Sequence, residues 1–127
     1  MRTILASSLA ALTAAALFST SAIARAGDDT APGWGMAIAA KVIGEKCAGT
    51  LKVKDFTVLS DYIAEQFTQA VETSGHGISW WADLRDKLEA SYVEKYSDGG
   101  NCTKDAREEA EETVSQVREF REEKHRD

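Results

Sequence analysis

No C-x-x-C, no G-x-S-x-G, no S-x-x-K and no glycine-rich phosphate loop occurs in the sequence. These gaps leave a dithiol redox enzyme, a serine hydrolase and a nucleotide-binding enzyme without their usual machinery. Histidine is nearly absent. Its two copies, His76 and His125, each lack a second His, a Cys or an Asp at the spacing of a metal site or a general base. Glu108 shares a helical face with Glu111 and Glu112, but no Glu-x-x-His accompanies them, so an acidic solvated face explains them better than a carboxylate metal centre. Asp98-Gly99-Gly100-Asn101 lacks the oxygen ligands of a calcium loop at the required positions. The expectation is a protein that is not an enzyme and holds no cofactor or metal. Proline is scarcer still, with Pro32 alone, and a chain almost free of helix breakers suits long helices.

No apolar run is long enough to span a bilayer comfortably as a helix, which takes roughly 20 residues. The longest, Ile4 to Phe18, has 15 residues and follows Arg2. A charged start, a short apolar core and the small-residue sequence Ala24-Arg25-Ala26 form the pattern of a cleaved secretory signal. Ala22-Ile23-Ala24 offers an earlier cut. The reading is a signal peptide over 1–26, a flexible entry segment over 27–34 and a helical domain over 35–127, exported to a periplasm or beyond the cell, with no stable membrane span after cleavage. Without the leader the chain carries 13 basic and 21 acidic residues, a balance of −8. Basic side chains are interleaved with acidic ones, so nucleic acid is excluded as a partner on electrostatic grounds. About 100 residues are enough for one domain.

Cys47 and Cys102 are the only cysteines, and in an oxidising compartment an isolated pair forms a disulfide. Around them the sequence predicts four helices. Met36, Ala40, Ile43 and Cys47 share a face of the first, and Ile38, Ala39 and Val42 make it apolar nearly all round, the mark of a buried helix. Phe56, Leu59, Ile63, Phe67 and Ala70 stripe the second, with Asp55 as its expected N-cap. Ser79 is the expected cap of the third, striped by Trp81, Leu84, Leu88, Tyr92 and Tyr96. Asn101 or Thr103 caps the fourth, whose seam of Ala106, Ala110, Val114, Val117 and Phe120 is thin and whose end beyond Phe120 should fray. Leu51-Lys52-Val53 is too short for a useful strand. The fold class is therefore all-α, a small bundle of about four helices with one disulfide joining the first and last.

The most unusual local feature is Gly75-His76-Gly77-Ile78-Ser79-Trp80-Trp81. Adjacent tryptophans on a helix point about 100° apart, so they cannot share one core position. That both are core, or half-buried caps over the bundle, is the plainer expectation, since a domain this small needs large apolar groups. A partner-binding patch of His76, Trp80 and Trp81 is the functional one, since tryptophan is enriched at protein interfaces.

Cys47-Ala48-Gly49-Thr50-Leu51, followed by Asp55, resembles the cysteine-to-second-helix junction of small exported two-cysteine helical proteins of unknown function from proteobacteria. In size, helical content and one long-range disulfide the chain is also similar to acid-stress periplasmic chaperones of the HdeA type, and its gross features match those of periplasmic immunity proteins and hydrolase inhibitors. Two functional expectations follow. One is a binder of another protein, in an inhibitory, immunity or accessory role; the alternative is an acid-responsive chaperone.

Overall fold

The computed structural model describes residues 31–126. The signal peptide and its cleavage sites lie outside the described residues, as does the entry segment before Ala31. The rest forms four helices: α1 (Trp34–Lys46), α2 (Val53–Ser74), α3 (Ile78–Tyr96) and α4 (Lys104–Arg126). Among the described residues there is no strand, and no helix is long and apolar enough to cross a membrane.

Helix α1 is the hub. It packs on each of the other three, whereas α2 and α3 contact each other only sparsely. Its apolar circumference explains this: Trp34, Ala37, Ile38, Ala40, Val42 and Ile43 are all buried, and together they cover most directions around the axis. Met36, expected on the buried face, is exposed instead, because it lies in the gap between α3 and α4.

Two clusters fix the topology. At one end Trp34 and Ile38, early in α1, meet Ala70, late in α2, and Trp81, early in α3. At the other, Val42, Ile43 and Cys47 meet Leu59 from the first half of α2, Tyr96 from the end of α3, and Ala110, Val114 and Val117 of α4. Helix α1 therefore runs antiparallel to α2 and parallel to α3. Helix α4 starts beside the end of α1 and reaches Tyr62 of α2 with Phe120, ring centroids 5.8 Å apart.

Cys47 and Cys102 are joined by a disulfide, with Cα atoms 5.6 Å apart. A guanidinium reinforces that junction. Arg107 Nη1 donates to the Ala48 carbonyl and to Thr50 Oγ1, both at 2.8 Å, and Nε donates to the Cys102 carbonyl at 3.4 Å. Thr50 Oγ1 in turn donates to the Cys47 carbonyl (2.7 Å). The turn that follows α1 is thus held by a bond and a side-chain network at once.

Gly44 shows why this turn sits so close. A methyl group at Gly44 would lie within 3 Å of Leu51 and Phe56 side-chain atoms, so the absent side chain makes room for the start of α2 against α1.

Helix ends differ from the sequence expectation at two places. Helix α2 begins at Val53, two residues before Asp55, and Asp55 acts from inside the first turn: its carboxylate accepts from the Lys52 N–H and its own N–H donates to the Lys52 carbonyl, both at 2.9 Å. Ser79 is likewise already helical, and Gly77 is the N-cap of α3, with no side-chain cap. Thr103 does cap α4, its Oγ1 accepting from the Ala106 N–H at 3.1 Å.

Helix α4 continues past Phe120 to Arg126. Arg118 pairs with Asp55 of α2, while Arg121 holds Glu65 through Nη2 at 2.8 Å and Nε at 3.3 Å, with Asp61 at 3.9 Å. The Glu65 hydrogen bond, aided by the nearby carboxylates, holds the Arg121 proton more firmly than usual. The charged face is not purely solvated; two arginines reach across to α2.

The part of the entry segment that is described is packed. Ala31, Pro32 and Gly33 are buried, Trp34 is the first helical residue, and the buried Tyr62 hydroxyl donates to the Pro32 carbonyl at 2.6 Å.

Candidate functional site

The junction between α2 and α3 stands out first by composition. Residues 73–82 contain no Asp, Glu, Lys or Arg, although 28% of the chain is charged. Yet Thr73 through Trp80 are all exposed. Gly75, in the left-handed conformation at φ 88°, ends α2 as a residue without Cβ does at low cost. Only three residues, 75–77, separate the helices, so the chain reverses sharply and presents its side chains at a tip.

Ser74 organises the turn. Its Oγ accepts from the His76 N–H at 3.1 Å and from Trp81 Nε1 at 2.8 Å. This orients Trp81 inward, where it is 7% exposed, while the 100° step along α3 carries Trp80 outward to 46% exposure. The pair is therefore divided between core and surface.

From Trp80 inward the rings form a continuous ladder. His76 stacks on Trp80 with centroids 3.9 Å apart and planes within 8°. Trp80 meets Trp81 edge-on at 4.9 Å, and Trp81 meets Trp34 edge-on at 5.5 Å. Trp34 donates its Nε1–H to the Ile63 carbonyl (3.3 Å) and contacts Phe67, centroids 6.2 Å apart. Edge-to-face pairs of this kind contribute about 0.5–1.5 kcal/mol beyond area burial. The exposed indole is consequently fixed from beneath by Trp81 and from one face by His76, and beside it Ile78 is 65% exposed.

The three side chains singled out in the sequence fall into two roles. His76 and Trp80 are at the surface of the tip; Trp81 lies behind them as support. Ile78, exposed beside them, has no periodic signal in the sequence to mark it as part of the patch, being a single aliphatic residue at a helix start.

Elsewhere, among the described residues, no group of three or more His, Cys, Asp or Glu is placed to hold a metal. Tyr92 lines the gap between α1, α3 and α4. Burial pushes its phenol above the ordinary range, and neighbouring Tyr96 and Glu109 add to the effect.

Compared with protein-family models, with curated proteins and with solved structures, the chain matches none.

Proposed function

We propose that this chain is an exported, non-enzymatic helical protein that binds another protein through the α2–α3 tip, with Trp80 as the anchor and His76 and Ile78 beside it. The observation that carries the reading is an exposed tryptophan held in one orientation on a charge-free turn. Cores of protein interfaces are depleted in charge and enriched in tryptophan, and truncating such anchors often costs more than 2 kcal/mol of binding. A side chain already ordered in the free protein also loses less entropy on binding. Export is supported by the apolar run from Ile4 to Phe18 and the Ala24-Arg25-Ala26 sequence. The Cys47–Cys102 bridge suits an oxidising compartment.

The test is capture of partners from an extract of the oxidising compartment by the processed protein, beside its Trp80→Ala variant. Retention of a specific protein by the wild type and its loss by the variant is the expected result. Equal retention by both would remove the tip from the interface.

A second reading, the acid-stress chaperone, rests on α4. Asp55, Asp61 and Glu65 of α2 hold Arg118 and Arg121 of α4, and loss of these pairs would loosen the part of the helix beyond the disulfide that carries the buried Val114 and Val117. Light scattering of unfolding client proteins separates the two: a chaperone of this kind suppresses aggregation in acid and not at neutral pH.

A further inference from the structure

We propose that the Cys47–Cys102 bridge of the folded protein exchanges with low-molecular-weight thiols at one sulfur only, Cys102 Sγ, so that Cys102 is the site of a reversible mixed disulfide and Cys47 the residue that removes it. The inference rests on the bridge and is independent of what the tip binds.

The two ends of the bridge have different surroundings. Cys47 is 1% exposed and lies inside the core cluster, among Ile43, Leu59, Tyr96, Ala110 and Val114. Cys102 is half-buried and packs against that cluster from its margin. Residues 97–101 before it and 103–105 after it are all exposed, so it stands on the outer turn between α3 and α4. Its sulfur lies 3.9 Å from the carbonyl oxygen of Lys46, itself an exposed residue.

Thiol–disulfide exchange turns this difference into selectivity. The three sulfurs align in the transition state, so the attacker arrives on the side of its target sulfur that faces away from the other, and access to that side decides the rate. For Cys47 that side is filled by the core. For Cys102 it is turned away from the core, toward the exposed turn. The attacking thiolate bonds to Cys102 Sγ, the bond between Cys47 and Cys102 breaks, and its electron pair leaves on Cys47 Sγ. One thiolate is consumed and one released, with no further oxidant or reductant.

The released thiolate lies in apolar surroundings that solvate charge poorly, so opening is slow. The chain has no third cysteine, and the core that shields Cys47 from outside thiols also leaves it one target, the mixed disulfide beside it. Its return to Cys102 Sγ expels the small thiol and restores the bridge. Arg107 keeps the two sulfurs together meanwhile, because its bonds to the Ala48 and Cys102 carbonyls do not depend on the bridge.

The experiment incubates the folded protein with excess reduced glutathione in the absence of denaturant, stops exchange with acid, and maps the state of each cysteine by mass spectrometry. Glutathione should be found on Cys102 at about ten times or more the amount on Cys47, and dilution of the thiol should return the bridge. Single-cysteine variants give a second reading with an aromatic disulfide as chromogenic probe. The Cys102 thiol of Cys47→Ala should react about a hundredfold faster than the Cys47 thiol of Cys102→Ala, which waits for local opening. If either variant fails to fold, the map of the wild-type protein decides alone. Glutathione on Cys47, an even division between the two, no adduct on either, or equal rates in two folded variants would each overturn the proposal.

Discussion

Ser74 Oγ accepts the indole N–H of Trp81 at 2.8 Å across the turn between α2 and α3. One hydroxyl at the end of one helix thereby decides which of two adjacent tryptophans faces inward. Because the same oxygen accepts the His76 N–H, Ser74→Ala removes two bonds together. A hydrogen bond of this type contributes about 1 kcal/mol net. Ser74→Ala should therefore lower stability by about 1–2 kcal/mol and speed exchange of the His76 amide, measured by thermal melts and hydrogen exchange. Unchanged exchange at His76 would show that the turn is held by other means.

The two tryptophans should separate cleanly on substitution. Trp81→Ala empties a buried position and should cost about 3–5 kcal/mol. Trp80→Ala loses an edge contact and a stack at the surface and should cost about 1 kcal/mol. Chemical denaturation of both variants checks this. Losses of equal size would place both rings in the core.

Reduction of the disulfide should destabilise the protein by about 4 kcal/mol, the loop-closure value for a separation of 55 residues. That rivals the gain from burying two valines at about 1.5–3 kcal/mol each, and Val114 and Val117 are the valines α4 buries. Hydrogen exchange of the reduced protein should therefore rise first in α4. Arg107→Ala, which removes the donors to Ala48 and Thr50, should add about 1–2 kcal/mol to that loss. An α4 as protected after reduction as before would mean that its ion pairs to α2 outweigh the bridge.

Tyr92 should make the fold sensitive to alkali. Its folded-state phenol titrates above the usual value near 10, chiefly because burial disfavours the phenolate. The stabilisation is present below about pH 10 and is lost as pH rises through the folded-state value, since the unfolded chain releases its proton first. Melting temperatures at about pH 9 and pH 11 should fall further for the wild type than for Tyr92→Phe. Parallel declines would exclude Tyr92 as the cause.

What could be read from the sequence was whatever repeats along one helix. The buried circumference of α1 and the stripes of α2 and α3 follow from 3.6-residue spacing, and Gly75 marks its break by the conformation only glycine adopts cheaply. Caps were less legible. Asp55 just precedes the stripe that starts at Phe56, so it resembles an N-cap, but Val53, 83% exposed, adds a turn that no apolar pattern announces. Arg118 and Arg121 read as a solvated face because their acids lie 63 and 56 residues away, and single-helix periodicity carries no information about a second helix. The 100° rule required Trp80 and Trp81 to diverge. It could not say which turned inward, a matter settled by Ser74 from across the turn.

The position of α1 bears on the order in which the chain acquires structure. The helix on which all others rest is the first of the four along the sequence, so during synthesis its apolar surface emerges before any of its coverings. Helix α2 follows after a connection of only six residues, 47–52, and short loops close fast; a hairpin of α1 and α2 is thus the earliest structure with a shielded side. The flank awaiting α4 stays open longest, because Cys102 lies beyond the whole of α3. Until that residue is made, Cys47 is a thiol with no partner in its own chain, and the emerging polypeptide is most exposed to aggregation and to mispairing with other thiols during this interval.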